Sequence, residues 1–133
     1  MIVNESIRVL KNCEKDPAAF DQFVDEFREE RDATELLELL CSKDDDLVRL
    51  SAWILSEIRA SKYGGEEFKS QLAKLTRHSS PAIRLHSLNA LFPFLSTNDQ
   101  DAVKLIARLQ ADENEGVRMM ADAAAERLKT VSG

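Results

Sequence analysis

The stretch DDDLVRLSAWILSEI, residues 44–58, joins a run of acids to apolar residues at helical spacing. Carboxylates at this place can accept hydrogen bonds from the unpaired amides that begin a helix, and they favour its positive end. The apolar residues that follow predict an amphipathic helix with one buried stripe. The Val48-Arg49 pair inside this stretch has counterparts at Ile83-Arg84 and Val117-Arg118.

These pairs are almost evenly spaced along the chain. Arg84 follows Arg49 by 35 residues, and Arg118 follows Arg84 by 34. Each unit has a first helical pattern, a polar break and a longer second pattern, and the breaks read SKDDD, RHSSP and ADENE. A fixed period of this length is typical of stacked helical repeats. We predict first and second helices over residues 33–42 and 45–61, 66–77 and 80–95, and 99–111 and 114–130.

The 133 residues are predicted to form one all-α domain of about four antiparallel helix pairs, with no β-sheet. The repeats span residues 33–62, 66–96 and 99–130. Residues 1–32 hold two further helical patterns, Val3–Cys13 and Pro17–Glu30, without the Val-Arg pair. Terminal units of stacked arrays are usually atypical, so we interpret this segment as an N-terminal capping pair. Because Leu55, Ala90 and Ala124 are equivalent in the alignment, we expect them to share one continuous buried ridge.

The D-x-x-V-R-x-x-A pattern of DDDLVRLSA, with the repeat length and the acidic break, resembles HEAT-type α-solenoids. The resemblance covers about 100 of the 133 residues, and it is fullest at Asp45, Val48, Arg49 and Ala52. In the second unit Ser80 stands where the pattern has the turn acid. The resemblance implies a right-handed solenoid whose second helices line a concave face. It also implies that the acid and the arginine of each unit hold the turns together.

Composition narrows the classes of function. The formal charge is −6, which repels nucleic-acid backbones and anionic membrane surfaces, and no basic stripe with interleaved aromatic residues is present. The first residues lack the pattern of a secretory signal, and no window approaches the roughly 20 apolar residues that span a bilayer. We therefore predict a cytoplasmic protein that binds neither membranes nor, on this charge, nucleic acid.

Candidate chemistry is sparse. Cys13 and Cys41 are the only cysteines and form no CxxC motif, and His78 and His86 have no metal-ligating residues placed beside them by spacing. A hydrolase built on paired carboxylates would need two acids held together in a cleft. We predict structural roles for both histidines, and no catalytic residue, cofactor or metal.

The acidic residues are concentrated in the first third of the chain. Residues 1–46 hold 14 Asp and Glu against 6 Lys and Arg, a balance of −8, whereas residues 47–133 have a balance of +2. EFREERDATELLE, residues 26–38, accounts for much of the excess. One interpretation is that solvated helix faces and helix starts simply use acids. The other is that this end attracts a basic partner.

The only tryptophan, Trp53, lies off the predicted core stripe. At about 100° per residue from Leu47 it falls near 240°, beside Asp46 and Glu57. The same face of the next second helix carries Leu88 and Phe92, and that helix is either packed on all sides or exposed here. An exposed tryptophan in a polar rim has the composition of a binding hot spot. The predicted partner-binding residues are Trp53, Asp45, Asp46, Glu57, Leu88 and Phe92.

The expected function is therefore binding of a protein partner without catalysis. The small size, the acidic balance and the W-I-L-S-E-I helix are similar to bacterial HEAT-like immunity proteins, which bind and neutralise a toxin domain, often a basic one. An alternative is a scaffold or regulatory adaptor subunit of an enzyme complex. A nucleic-acid-binding repeat would need a basic face, for which the second helices offer only Arg84, Arg118, Lys129 and their neighbours. The partner and the oligomeric state are left open.

Overall fold

The computed structural model describes residues 4–29, 31–58 and 62–132. This part of the chain folds into helices and contains no strand. The eight α-helices found there are α1 (Asn4–Lys11), α2 (Pro17–Glu29), α3 (Thr34–Leu40), α4 (Asp45–Glu57), α5 (Glu66–Leu75), α6 (Pro81–Leu91), α7 (Gln100–Gln110) and α8 (Glu115–Ser132), with a 3-10 helix at Phe92–Phe94. The predicted all-α class is confirmed. The predicted helix ends at residues 3, 30 and 59–61 lie outside the described residues.

The polar breaks hold the side chains that start the second helices, as predicted. The carboxylate of Asp44 accepts the amide of Asp46 at 3.0 Å before α4, and the hydroxyl of Ser80 accepts the amide of Ile83 at 3.4 Å before α6. Before α8, the side-chain oxygen of Asn114 accepts the amide of Val117 at 3.1 Å. Each contact satisfies one of the amides that a helix start leaves unpaired.

The helices pack in adjacent pairs and in a row. α1 packs against α2, α3 against α4, α5 against α6, and α7 against α8. Among the second helices, α4 packs on α6 and α6 on α8, while α3 packs on α5 among the first helices. From α4 onward, each second helix therefore contacts the next one along the chain, whereas in the first pair it is α1 that packs on α4.

The apolar core consists of one large cluster and two small ones. The large cluster runs from Leu10 in α1 to Leu91 at the end of α6. The two small clusters fasten α7 and α8 to α6, and partly buried Leu95 and Leu105 pack against all three. Leu55 and Ala90 are fully buried in the large cluster, and Ala124 is buried in a small one. All three repeat-equivalent residues are thus buried as expected, but the core they occupy is divided.

Two second helices end earlier than predicted. α6 stops at Leu91 instead of residue 95, and the 3-10 turn Phe92–Phe94 follows. Pro93 lies inside that turn, where its ring and its missing N–H disfavour continuation of an α-helix. The carbonyl of Ala90 accepts a hydrogen bond from the buried hydroxyl of Tyr63 at 2.9 Å. α4 stops at Glu57, because Ile58 has an extended backbone (φ −110°, ψ 167°).

The three repeated arginines make unequal contacts with the turns. Arg84 is buried and donates to the carbonyls of His78 at 2.8 Å and Ser79 at 3.0 Å, and also to both carboxylate oxygens of Asp112 at 2.9 and 2.8 Å. Arg118 donates to the carbonyl of Asp112 at 2.7 Å. Arg49 approaches only Asp46, at 3.8 Å. The expected turn contact is therefore confirmed at Arg84 and Arg118, and it is absent at Arg49 among the described residues.

Asp112 joins the turn before α6 to the turn before α8. Burial alone would raise the pKa of this carboxyl, but the hydrogen bonds and the charge of Arg84 outweigh burial and hold the pKa below its usual range. The fork-shaped guanidinium fits both carboxylate oxygens at once, which makes such a pair stronger than a single ionic contact. Two successive helix pairs are thereby connected at their turns.

Candidate protein-binding surface

Trp53 in α4 lies against Phe20 in α2. Their ring centroids are 5.7 Å apart and the rings are inclined by 30°. Both side chains are partly exposed and pack against the large core cluster. One side of the indole is therefore covered by the N-terminal pair, and the remainder faces solvent. Trp53 lies off the core stripe of α4, in agreement with the prediction. Its partial burial comes from contact with α2, which the sequence pattern of α4 alone does not predict.

The predicted acidic rim is at the surface. The side chains of Asp45 and Asp46 are each 66% exposed in the first turn of α4, and that of Glu57 is 41% exposed in its last turn. Each has at least one cationic or ionisable neighbour: His78 lies 3.3 Å from Asp45, Lys11 and Arg49 lie 3.9 and 3.8 Å from Asp46, and Arg28 lies 3.6 Å from Glu57. Exposed pairs of this kind are weak, so the acids can exchange these neighbours for groups on a partner.

Asp44 and Lys11 connect the capping pair to this acidic turn. The ammonium group of Lys11 contacts the carboxylate of Asp44 directly. That hydrogen bond, together with the attraction between the two opposite charges, lowers the pKa of Asp44 and raises the pKa of Lys11. Both groups stay ionised over the ordinary range of pH. The turn thus retains a net negative charge from Asp45 and Asp46 next to one internal pair.

Two of the acidic residues in 26–38 bind an arginine that packs on the aromatic rings of the capping pair. The guanidinium of Arg31 donates to Glu26 at 3.0 Å and to Glu35 at 2.6 Å, and it lies 4.9 Å from the ring centroids of Phe23 and Phe27. Arg31 therefore connects Glu26 of α2 to Glu35 of α3. Glu26, at 44% exposed, fits the interpretation of a solvated helix face, whereas Glu35, at 12% exposed, is a largely buried ion-pair partner.

Leu88 and Phe92 do not extend the Trp53 surface. Leu88 is fully buried in the cluster that holds Leu109, Val117 and Ala121, so the packed alternative holds for this residue and its assignment as a partner-binding residue is wrong. The physical reason is that α6 has a neighbour on each side, and α8 covers the face that would otherwise be exposed. Phe92 is partly buried against a different cluster, with the guanidinium of Arg127 4.8 Å from its ring centroid.

His78 has a local role in the described structure, whereas the buried Nδ1 of His86 has no hydrogen-bond partner there. Nδ1 of His78 accepts the amide of Ser80 at 2.9 Å, which places the ring in the turn before α6. Burial, and then the nearby charge of Arg49, lower the pKa of His86. Within residues 4–29, 31–58 and 62–132, no group of three or more His, Cys, Asp or Glu side chains is arranged to hold a metal ion. In the same ranges, no helix combines the length and the apolar character needed to cross a membrane.

A basic groove between α5 and α7 was missed by the sequence analysis. Its cations are Lys74 and Arg77 of the second repeat and Lys104 and Arg108 of the third. A signal was present, because Lys74 and Arg108 are 34 residues apart and so occupy equivalent positions. These four residues lie on or just after first helices, whereas the predicted concave face consists of second helices.

Comparisons of this chain with protein-family models, with curated proteins and with solved structures found no match. Function is therefore inferred from the surfaces of the molecule.

Proposed function

We propose that the protein is a non-catalytic binding module for another protein, built as a HEAT-type, right-handed solenoid. The observation that carries this proposal is the partly exposed Trp53–Phe20 pair beside Asp46 and Glu57 on α4. Tryptophan supplies large contact area at a low cost in conformational entropy, and it is enriched among residues that dominate binding energy. The row of second helices α4, α6 and α8 supports the solenoid arrangement, because repeats that contact only their neighbours expose an extended surface.

The specific role that we propose is that of a bacterial immunity protein, which binds and neutralises a basic toxin domain in the cytoplasm. The balance of −8 in residues 1–46 favours a basic partner. Charges of opposite sign across an interface raise the association rate and discriminate against wrong partners. Asp45 and Asp46 are suited to this role because their side chains are largely exposed.

A scaffold or adaptor subunit is the second candidate. The observation that favours it is the basic groove between α5 and α7, since an adaptor needs two surfaces that select different partners. An immunity protein of this kind needs only the acidic surface. Binding of a basic partner at Trp53 together with a different partner at the groove would therefore distinguish the adaptor from the inhibitor.

The proposal is tested with the protein encoded by the neighbouring reading frame as the titrant. Because Trp53 is the only tryptophan, its fluorescence reports directly on this surface. We expect a blue shift and reduced quenching by iodide when a basic partner covers the indole. Trp53→Ala should weaken binding by about 2 kcal/mol, the scale of a hot spot. Met119→Ala is the matched control, because Met119 is 65% exposed on α8 and outside this surface.

The acidic rim should act on association more than on dissociation. Asp45→Lys combined with Asp46→Lys should slow association and reduce its dependence on salt, because rim charges mainly direct the encounter. Glu113→Lys with Glu115→Lys makes the same change of charge at the start of α8 and should leave the rate nearly unchanged. If Trp53→Ala unfolds the protein while the remaining folded fraction binds as before, the tryptophan is a core residue and the proposed site is wrong.

A further inference from the structure

A groove of about 600 Å³ separates α5 from α7. Its floor contains the partly buried side chains of Ala73 and Leu105, which pack against the core beneath. Lys74 and Arg77 stand on one wall, and Lys104 and Arg108 stand on the other. Lys104 and Arg108 lie on one face of α7, about one turn apart, while Arg77 lies in the turn just after α5, three positions after Lys74. The groove is thus a short apolar trough between two pairs of cations.

The positive charge of the groove is not neutralised from within. Its only acidic lining residue among the described residues is Asp101, which leaves four cations against one carboxylate. No ion pair or hydrogen bond to Lys74, Arg77 or Lys104 side chains occurs in residues 4–29, 31–58 and 62–132. Arg108 donates to the hydroxyl of Thr76 at 2.8 Å and to its carbonyl at 3.2 Å, which holds the guanidinium in the groove.

The crowding of cations is itself unfavourable. Burial, and next the charge of Arg77, lower the pKa of Arg108, while the charge of Asp112 opposes them. Asp101 is the one acid among the described residues that line the groove, and Asp112, which acts on Arg108 from outside it, is already paired with Arg84. An anionic ligand would relieve the repulsion among the four cations and would gain charge-assisted hydrogen bonds.

We propose that this groove binds a short acidic segment of a partner protein, with two carboxylates about one helical turn apart and an apolar residue between them. The carboxylates would each lie between a cation of α5 and a cation of α7, and the apolar residue would cover Ala73 and Leu105. This surface is separate from the one at Trp53, and it selects a partner segment of the opposite charge.

A protein segment fits the groove better than a nucleic acid does. None of the described residues that line the groove is aromatic, so among them unpaired bases would find nothing on which to stack. The cations extend over only about one turn of each helix, whereas a phosphate backbone is usually followed by a longer basic track. The apolar floor also suits a side chain such as Leu more than it suits a sugar-phosphate chain.

The experiment uses the whole protein and a fluorescently labelled peptide of Glu, Ala and Leu, with glutamates at successive turns and both ends blocked. Lys74→Glu combined with Lys104→Glu should weaken binding of this peptide about tenfold, because it reverses two exposed charge contacts. Lys15→Glu combined with Lys129→Glu is the matched control, since it makes the same change of net charge on exposed residues outside the groove. The control should bind the peptide within about twofold of the parent protein, in line with the small effect of surface charges.

Four outcomes would overturn the proposal. The first is no measurable binding of the peptide at low salt, and the second is an equal loss of affinity in the control. The third is tighter binding of a single-stranded oligonucleotide of equal charge, lost in the groove variant, which would assign the groove to nucleic acid. The fourth is self-association of the parent protein that the groove variant abolishes in sedimentation, which would make a second copy the occupant. Lys74→Gln with Lys104→Gln repeats the measurement without introducing new acids, should the first variant fold poorly.

Discussion

Arg49, Arg84 and Arg118 occupy one position in three sequence units but have different surroundings. Arg84 lies between two helix pairs, so it reaches the turn of its own unit and the acid of the next. Arg118 belongs to the last unit and reaches only the carbonyl of Asp112. Arg49 has His78 in place of an acid at the position equivalent to Asp112. The period of the sequence predicts where the arginines lie, but the contacts depend on which residue the neighbouring unit supplies.

We expect the three arginines to differ in their contribution to stability. Arg84→Met should reduce the free energy of unfolding by about 3 kcal/mol, because it leaves the carboxylate of Asp112 buried without its partner. Arg118→Met should cost about 1 to 2 kcal/mol for one charged hydrogen bond. Arg49→Met should cost less than about 1 kcal/mol, as for an exposed ion pair. Urea denaturation of the three variants measures the order, and equal losses would contradict the unequal contacts.

Trp53 shows the limit of prediction from one helix. The angular position on α4 correctly places the indole off the core stripe, because that position depends only on helix geometry. The contact with Phe20 comes from α2, and nothing in residues 44–58 specifies which element lies beside them. For the same reason the sequence left the Leu88 face open between packed and exposed, and α8 is the element that covers it. The exposure of a residue was predictable where it depends on the geometry of its own helix, and not where it depends on a second helix that packs beside it.

At the scale of the elements, the helices and their starts could be predicted and some of their ends could not. Starts are marked by local chemistry: Asp44, Ser80 and Asn114 each accept an amide within the next turn. The end of α6 was placed too late because the apolar pattern continues through Phe94 and Leu95, although Pro93 is a strong local signal against it. The hydroxyl of Tyr63 then stabilises the earlier end from outside the helix.

We expect the end of α6 to be sensitive to alkaline pH. Burial raises the pKa of Tyr63 to about 12, against about 10 in an unfolded chain. Between these values the unfolded chain loses the proton while the folded protein keeps it. Stability is therefore full below pH of about 10 and falls as pH rises toward 12. Because Tyr63 is the only tyrosine, tyrosinate absorbance measures its pKa directly.

Tyr63→Phe is the control for this effect. At neutral pH it should cost about 1 kcal/mol, because the carbonyl of Ala90 loses its hydrogen bond in a buried place. Its free energy of unfolding should fall less steeply than that of the parent protein between pH of about 10 and 12. Parallel curves for the two proteins, or a tyrosine that titrates with the pKa of a free side chain, would show that the hydroxyl is not held as described.

At the scale of the whole molecule, the core is unevenly distributed. The large cluster includes residues of α1 to α6, whereas α7 and α8 depend on two small clusters and on the Arg84–Asp112 pair. The sequence predicted the order of the helix pairs from the repeat. It did not predict that the core is divided into clusters. An alanine-rich helix such as α8 matches the repeat pattern, but it buries smaller side chains than the other second helices do.

We expect α7 and α8 to open more readily than the rest. In native-state hydrogen exchange, their slowest amides should exchange about tenfold or more faster than those of α4 and α6, because fewer large apolar side chains must be exposed. Arg84→Met should widen the difference, since it removes the connection between α6 and the turn before α8. Uniform protection across all the second helices would contradict a divided core.

The separation of charge gives the molecule an electric dipole. The N-terminal third carries the negative excess, and the groove between α5 and α7 carries a local positive one. A uniform charge only attracts or repels, whereas a dipole also exerts a torque, so an approaching charged protein is turned before it touches the surface. The field reaches about 8 Å at physiological ionic strength, roughly the width of one helix. A basic protein would therefore meet Trp53 in a restricted range of orientations, and the groove would repel it.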